Sequence, residues 1–192
     1  FLVNYTNPEC SWEQLITSRI IWSGAVTLNP EDYADAGGYS LVWERCCRNA
    51  GIKNIINPGG TGMKYVTEIP PLWGVDNQAF VNSSPQLFAP LGDYACINQL
   101  YYTEFTGIDP DGDSLVYSLA TPLNSSSAVA LPIPQPAPHP LVFFAEGYDL
   151  GHMITGDPSL SISDRGLLRV NPSASGLYLF SVVVEEYRAG LK

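Results

Sequence analysis

Cations are scarce in this sequence. Nine Lys and Arg stand against nineteen Asp and Glu, a formal charge of −10 on 192 residues. A surface of that sign is repelled by phosphate backbones and by anionic membrane faces, so no nucleic-acid partner is expected. Long apolar runs are missing too. Without a stretch of about eighteen apolar residues there is no transmembrane helix, and no membrane insertion is expected. Histidine is limited to two residues, and stretches of Ala, Leu, Glu and Lys in helical rhythm are absent.

What is present points one way. The chain is 45% hydrophobic and 15% charged, too apolar for a disordered acidic tail and sufficient to fill a core. Seventeen Gly, sixteen Pro and eleven Tyr fit many short strands joined by turns. The expected fold class is all-β.

Four cysteines, Cys10, Cys46, Cys47 and Cys96, show neither the C-x-x-C spacing of zinc ribbons nor that of redox motifs. Disulfides in an exported chain are the better reading. Three pairings exist, and the one joining the neighbours Cys46 and Cys47 ranks last, because successive side chains on a strand point to opposite faces. Cys46 and Cys47 are therefore expected to reach Cys10 and Cys96 separately. The chain begins at Phe1 with no initiator Met and no leader pattern, so an export signal is expected to have been removed or left out.

Period-two alternation marks the candidate strands. In the first half these are Phe1–Thr6, Leu15–Trp22, Gly24–Leu28, Tyr39–Arg45 and Lys64–Ile69, with Asn57–Gly62 a glycine-rich loop. A short polar stretch with two prolines, from Asn82 to Pro90, suggests a boundary between an N-terminal β-sandwich domain over 1–84 and a C-terminal one over 85–192. The second half offers Tyr94–Asn98, Leu100–Thr106, Leu115–Ala120, Leu141–Glu146, Tyr148–Ile154, Leu160–Ser163, Gly166–Val170 and Gly176–Arg188. That count suits an immunoglobulin-like sandwich. The last strand is apolar on both faces and is expected to be central. Pro122 to Pro140 carries six prolines and reads as a long surface connection, or else as a binding loop.

The most pointed chemistry lies in Asp109-Pro110-Asp111-Gly112-Asp113. Three carboxylates this close repel one another unless a cation offsets them, and calcium accepts six to eight hard oxygens in a flexible shell. Asp109, Asp111 and Asp113 are the candidate calcium ligands, with Glu104, Asp157, Glu185 or Glu186 completing the shell from neighbouring strands. The same residues are favoured turn formers, and a plain tight turn is the competing reading. An EF-hand is excluded because its obligatory Gly and Glu fall on Ser114 and Ala120.

No Gly-x-Ser-x-Gly, P-loop or His-Glu-x-x-His motif occurs, and His139 and His152 stand apart from any nucleophile. Adjacent Glu185 and Glu186 face opposite sides of a strand and cannot flank one bond. A non-catalytic module is expected. An alternative is a carbohydrate-binding module using exposed aromatics, with Trp12 and Trp73 near turns as the candidates and Trp22 and Trp43 assigned to the core.

Two stretches carry a resemblance. Trp43-Glu44-Arg45-Cys46-Cys47-Arg48-Asn49, followed by Ile52-Lys53-Asn54-Ile55, is similar to a Cys-Cys-Arg-Asn motif of the gliding-motility-associated adhesin-like surface proteins of gliding bacteria. Cys96-Ile97-Asn98-Gln99, the acidic loop and Val182-Val183-Val184-Glu185-Glu186-Tyr187-Arg188 follow in the matching order. The second half also resembles cadherin-like and immunoglobulin-like repeats, through the acidic loop and Gly166-Leu167-Leu168-Arg169-Val170-Asn171-Pro172 with Gly176-Leu177-Tyr178. The resemblance implies a secreted or cell-surface piece of a longer protein, with a surface polysaccharide or protein, and neighbouring modules of the same chain, as partners.

Overall fold

The structure, a computed structural model, describes residues 7–11, 20–21, 23–29, 31–73, 78–88 and 94–190. The expected strand Phe1–Thr6, most of Leu15–Trp22, and Trp12 and Trp22 lie outside the described residues. Among the described residues nine strands occur, β1 Tyr39–Arg45, β2 Met63–Ile69, β3 Gln86–Leu87, β4 Tyr101–Glu104, β5 Gly107–Ile108, β6 Ser114–Ala120, β7 Ser161–Ile162, β8 Leu167–Val170 and β9 Ser181–Tyr187. They form small antiparallel sheets in the orders β1-β2, β3-β5, β4-β8-β7 and β6-β9. Among the described residues there is no α-helix, and the chain is all-β.

The main core is built where β4, β7 and β8 meet the loop before β7. Met153, Leu160, Leu168 and Val170 are buried together, and packed against them are Phe105 and Phe180, whose rings meet edge to face with centroids 5.8 Å apart. Alternation supplies these positions on β8: Leu168 and Val170 point in, Leu167 and Arg169 out.

Asn54 ties this core to the first half of the chain. It is fully buried, and its amide pairs with backbone as a peptide group would. Nδ2 donates to the carbonyls of Met153 (2.9 Å) and Leu179 (2.7 Å), while Oδ1 accepts from the Leu179 N–H (2.8 Å). Beside it Ile52 bridges Leu177, and Ile55 bridges Phe144. Hydrogen bonds thus cross the 84/85 division repeatedly.

Several expected strands are absent. Gly24–Leu28 carries no ladder; Tyr94–Asn98 is bent by Asn98 at φ 58; Tyr148–Ile154 is turned by the Asp149 carboxylate, which accepts from the Gly151 N–H at 2.7 Å. Leu141–Glu146 makes only isolated bridges, to Leu123 and Ile55. β9 pairs with β6 alone among the described strands and is not central, because its apolar approach, Leu177–Phe180, is drawn off onto Ile52 and Asn54.

The cysteines pair as Cys10–Cys96 and Cys46–Cys47, the arrangement ranked last from the sequence. The strand argument does not apply because β1 ends at Arg45: Cys46 has already left the ladder, and its N–H is given to the carbonyl of Ala130 (3.3 Å). That bond belongs to the proline-rich segment, which lies as a strap against the β1–β2 hairpin. Its base is closed by Asn124 N–H on the Pro140 carbonyl (2.8 Å). The glycine loop fits beneath it by close approach and not by positive φ. A Cβ on Gly62 would collide with the Ser125 side chain, and the left-handed residue of the loop is Asn57 (φ 48).

Candidate cation site

The acidic loop joins β5 to β6 and folds as an Asx turn. Asp109 Oδ1 accepts from the N–H groups of Asp111 (2.8 Å) and Asp113 (3.2 Å), and Gly112 takes φ 84 at the tip. The tight-turn reading is therefore realised. It uses only one oxygen of Asp109, and the other, Oδ2, is buried without a hydrogen-bond partner.

The β6–β9 register brings a fourth carboxylate to this loop. Leu115 is opposite Glu186, so the end of β9 delivers Glu186 beside the turn that starts β6. Asp109, Asp113 and Glu186 each present an oxygen within 4.8 Å of the others, a group that can hold a metal ion. Asp111 turns elsewhere, accepting from the Ser83 N–H (2.6 Å) and from Arg188 Nη2 (3.2 Å).

Arg188, the residue after β9, compensates part of this charge. Its Nε and Nη2 form a fork on Asp113 at 2.9 and 2.6 Å, and Nη2 also donates to Asn82 Oδ1 at 2.6 Å. The guanidinium lies 5.3 Å from the Phe80 ring centroid. Hydrogen bonding and charge from Arg188 hold the Asp113 carboxyl below its ordinary value and push the guanidinium further up. Glu186 behaves oppositely. Burial, together with Asp113 and Asp109, pushes its carboxyl up, although Asn82 Nδ2 donates to it at 2.6 Å. One guanidinium against four carboxylates leaves the corner short of positive charge, the condition under which a hard divalent cation is favoured.

Of the residues singled out from the sequence, the structure brings Asp109, Asp113 and Glu186 together and leaves Asp111 outside the group. Sequence reasoning missed Arg188 and the docking of residues 80–83, for which only the register and the turn together supply a signal. Glu104 lies on β4, and Glu185 Oε2 accepts from the Tyr187 hydroxyl at 3.3 Å.

The aromatics are placed differently from expectation. Trp43, assigned to the core, is 51% exposed and meets Tyr65, 62% exposed, across the β1–β2 pair with ring centroids 5.7 Å apart. Trp73 bridges Ala79 and is partly exposed. The face of the hairpin turned inward carries Glu44 and Lys64 instead, with side-chain exposure of 0% each and 2.7 Å between Nζ and Oε1.

Comparison with protein-family models, curated proteins and solved structures finds no match.

Proposed function

We propose that the chain is a non-catalytic module of a secreted or cell-surface protein, acting in adhesion or surface architecture, and that calcium held by Asp109, Asp113 and Glu186 stiffens it. Two disulfides favour an oxidising compartment. The antiparallel all-β fold suits immunoglobulin-like or cadherin-like repeats, and with them neighbouring modules of a longer chain and a surface polysaccharide or protein as partners. The resemblance to gliding-motility-associated adhesins points the same way.

The observation that carries the calcium reading is the buried, unpartnered Asp109 Oδ2 within a three-carboxylate group. A cation there would join the turn before β6 to the end of β9. With calcium at about ten times its dissociation constant, the melting midpoint is expected to rise by about 4 °C over the chelated protein. The response should vanish in Glu186→Gln and persist in Asp111→Asn. A midpoint indifferent to millimolar calcium removes the metal from the proposal.

The Trp43–Tyr65 pair favours a second reading, carbohydrate binding, since sugar rings stack on exposed aromatic faces. Glycan-array binding that Trp43→Ala reduces about tenfold, with unchanged melting, is the expected outcome under it. Binding that survives the substitution counts against this pair as the platform.

A further inference from the structure

We propose that His139 is a proton-released latch: neutral, it fastens the proline-rich strap to the buried Glu44–Lys64 pair of the β1–β2 hairpin, and protonated, it lets the strap go.

The geometry fixes its protonation state when closed. Lys64 Nζ has three polar neighbours, Glu44 Oε1 at 2.7 Å, Ser126 Oγ at 3.2 Å and His139 Nδ1 at 3.2 Å. An ammonium has three hydrogens and no lone pair, so it can only donate, and Nδ1 must accept. The imidazole proton is then on Nε2, which is buried without a partner. A proton taken up at Nδ1 removes the accepting lone pair and sets an imidazolium N–H against an enclosed ammonium. Proton uptake and the Lys64 contact exclude each other.

The groups facing the ring from the elements around it do not change this sign. Among the described residues Glu44 on β1 is the carboxylate bonded to Lys64, and it is engaged also by the Ser126 N–H (2.7 Å) and hydroxyl (2.8 Å). Burial opposes its ionisation, but Lys64 and Ser126 together hold its carboxyl below the ordinary value. Glu68 on β2 lines the same open cleft as His139, together with Tyr39, and accepts from Ser40 Oγ at 2.9 Å.

The strap is built to lift. Between Ser126 and His139 the side chains of Val129, Leu131 and Ile133 are exposed, and what opening has to release there is the Cys46–Ala130 hydrogen bond and the buried Pro132. Its base stays closed through Asn124 and Pro140. Pro134–Ala137 form one wall of the cleft and Tyr39, Ser40 and Val42 the other, so release uncovers the hairpin's inner face.

The test is amide hydrogen exchange on the whole chain with both disulfides intact, corrected for intrinsic rates, at about pH 7.5 and about pH 5.5. The reporters are the two N–H groups that bond strap to hairpin, Cys46 N–H on the Ala130 carbonyl and the strap's own Ser126 N–H on Glu44. The second histidine is removed with His152→Gln, since His152 bonds only locally to Asp149. One proton taken up only in the open state raises the opening constant about tenfold for each pH unit over which it binds. Protection should fall about tenfold in that background and not at all when His139→Gln is added, because the glutamine carbonyl accepts from Lys64 without titrating. Equal loss of protection in both, or none in either, overturns the latch. If His139→Gln does not fold, the midpoint of protection loss is compared with the NMR titration of the His139 ring. Coincidence supports the proposal; a ring that titrates while protection holds overturns it.

Discussion

Lys64→Met is expected to lower the unfolding free energy by about 4 kcal/mol, the effect of leaving one buried charge without its partner. Lys64 and Glu44 are directly opposite on β1 and β2, and neither side chain is reached by solvent. Methionine fills a similar volume, so the loss is electrostatic and not a cavity. Glu44 would keep only the N–H and hydroxyl of Ser126, in a setting too dry to hold a lone carboxylate. Urea denaturation near neutral pH measures it. The double variant Glu44→Leu with Lys64→Met should recover most of the loss, since an apolar pair of similar volume requires no desolvation. A single variant within about 1 kcal/mol of the parent would show that water reaches the pair. The pH dependence has a definite sign. Glu44 is held below its ordinary value in the folded chain. Its contribution is therefore present above the ordinary carboxylate range and lost as pH falls through the lower, folded value, and Lys64→Met should flatten that acid limb.

How far the sequence reveals this molecule depends on whether a residue's role is local. The alternation of Tyr39–Arg45 marks β1 at its true bounds, and Met63–Ile69 and Ser114–Ala120 differ from expectation by one residue. These strands declare themselves because a period of two is a property of the strand alone. The Asp-Pro-Asp-Gly-Asp loop is legible for the same reason, since its turn closes within five residues. Roles that depend on distant partners were not legible. Glu44 and Trp43 look like an outward charge and an inward indole, yet the hairpin buries the charge and exposes the ring. The reason is that Lys64 and Ser126, 20 and 82 residues away, satisfy Glu44, and His139 accepts from Lys64 behind them. Asn54 gives no sequence signal because its partners are the backbone of Met153 and Leu179. The vicinal cysteines misled because the rule of alternating faces holds only inside a strand, and β1 stops at Arg45.

Removing the Cys10–Cys96 bridge by the double variant Cys10→Ala/Cys96→Ala is expected to destabilise the chain by about 4 to 5 kcal/mol, with a midpoint lower by about 10 to 15 °C. The two residues are 86 apart, so the bridge removes a large loop from the disordered chain's freedom, and the chain-entropy term grows with the logarithm of that length. Cys46 and Cys47 are neighbours and their bond closes no loop of chain. Cys46→Ala/Cys47→Ala should therefore lower stability only by what the burial of the Cys46 side chain contributes, about 1 kcal/mol. Thermal melting of the two double variants beside the parent decides between them. Equal losses would mean that the long bridge acts on the folded state and not on the unfolded one. The expected order assigns the two bonds different work. Cys10–Cys96 fastens residues 7–11 to the stretch that begins at Tyr94, beside Asn7 Nδ2 on the Tyr94 carbonyl at 3.1 Å. Cys46–Cys47 instead marks the point where β1 leaves its ladder and the strap's Ala130 takes over its hydrogen bonding.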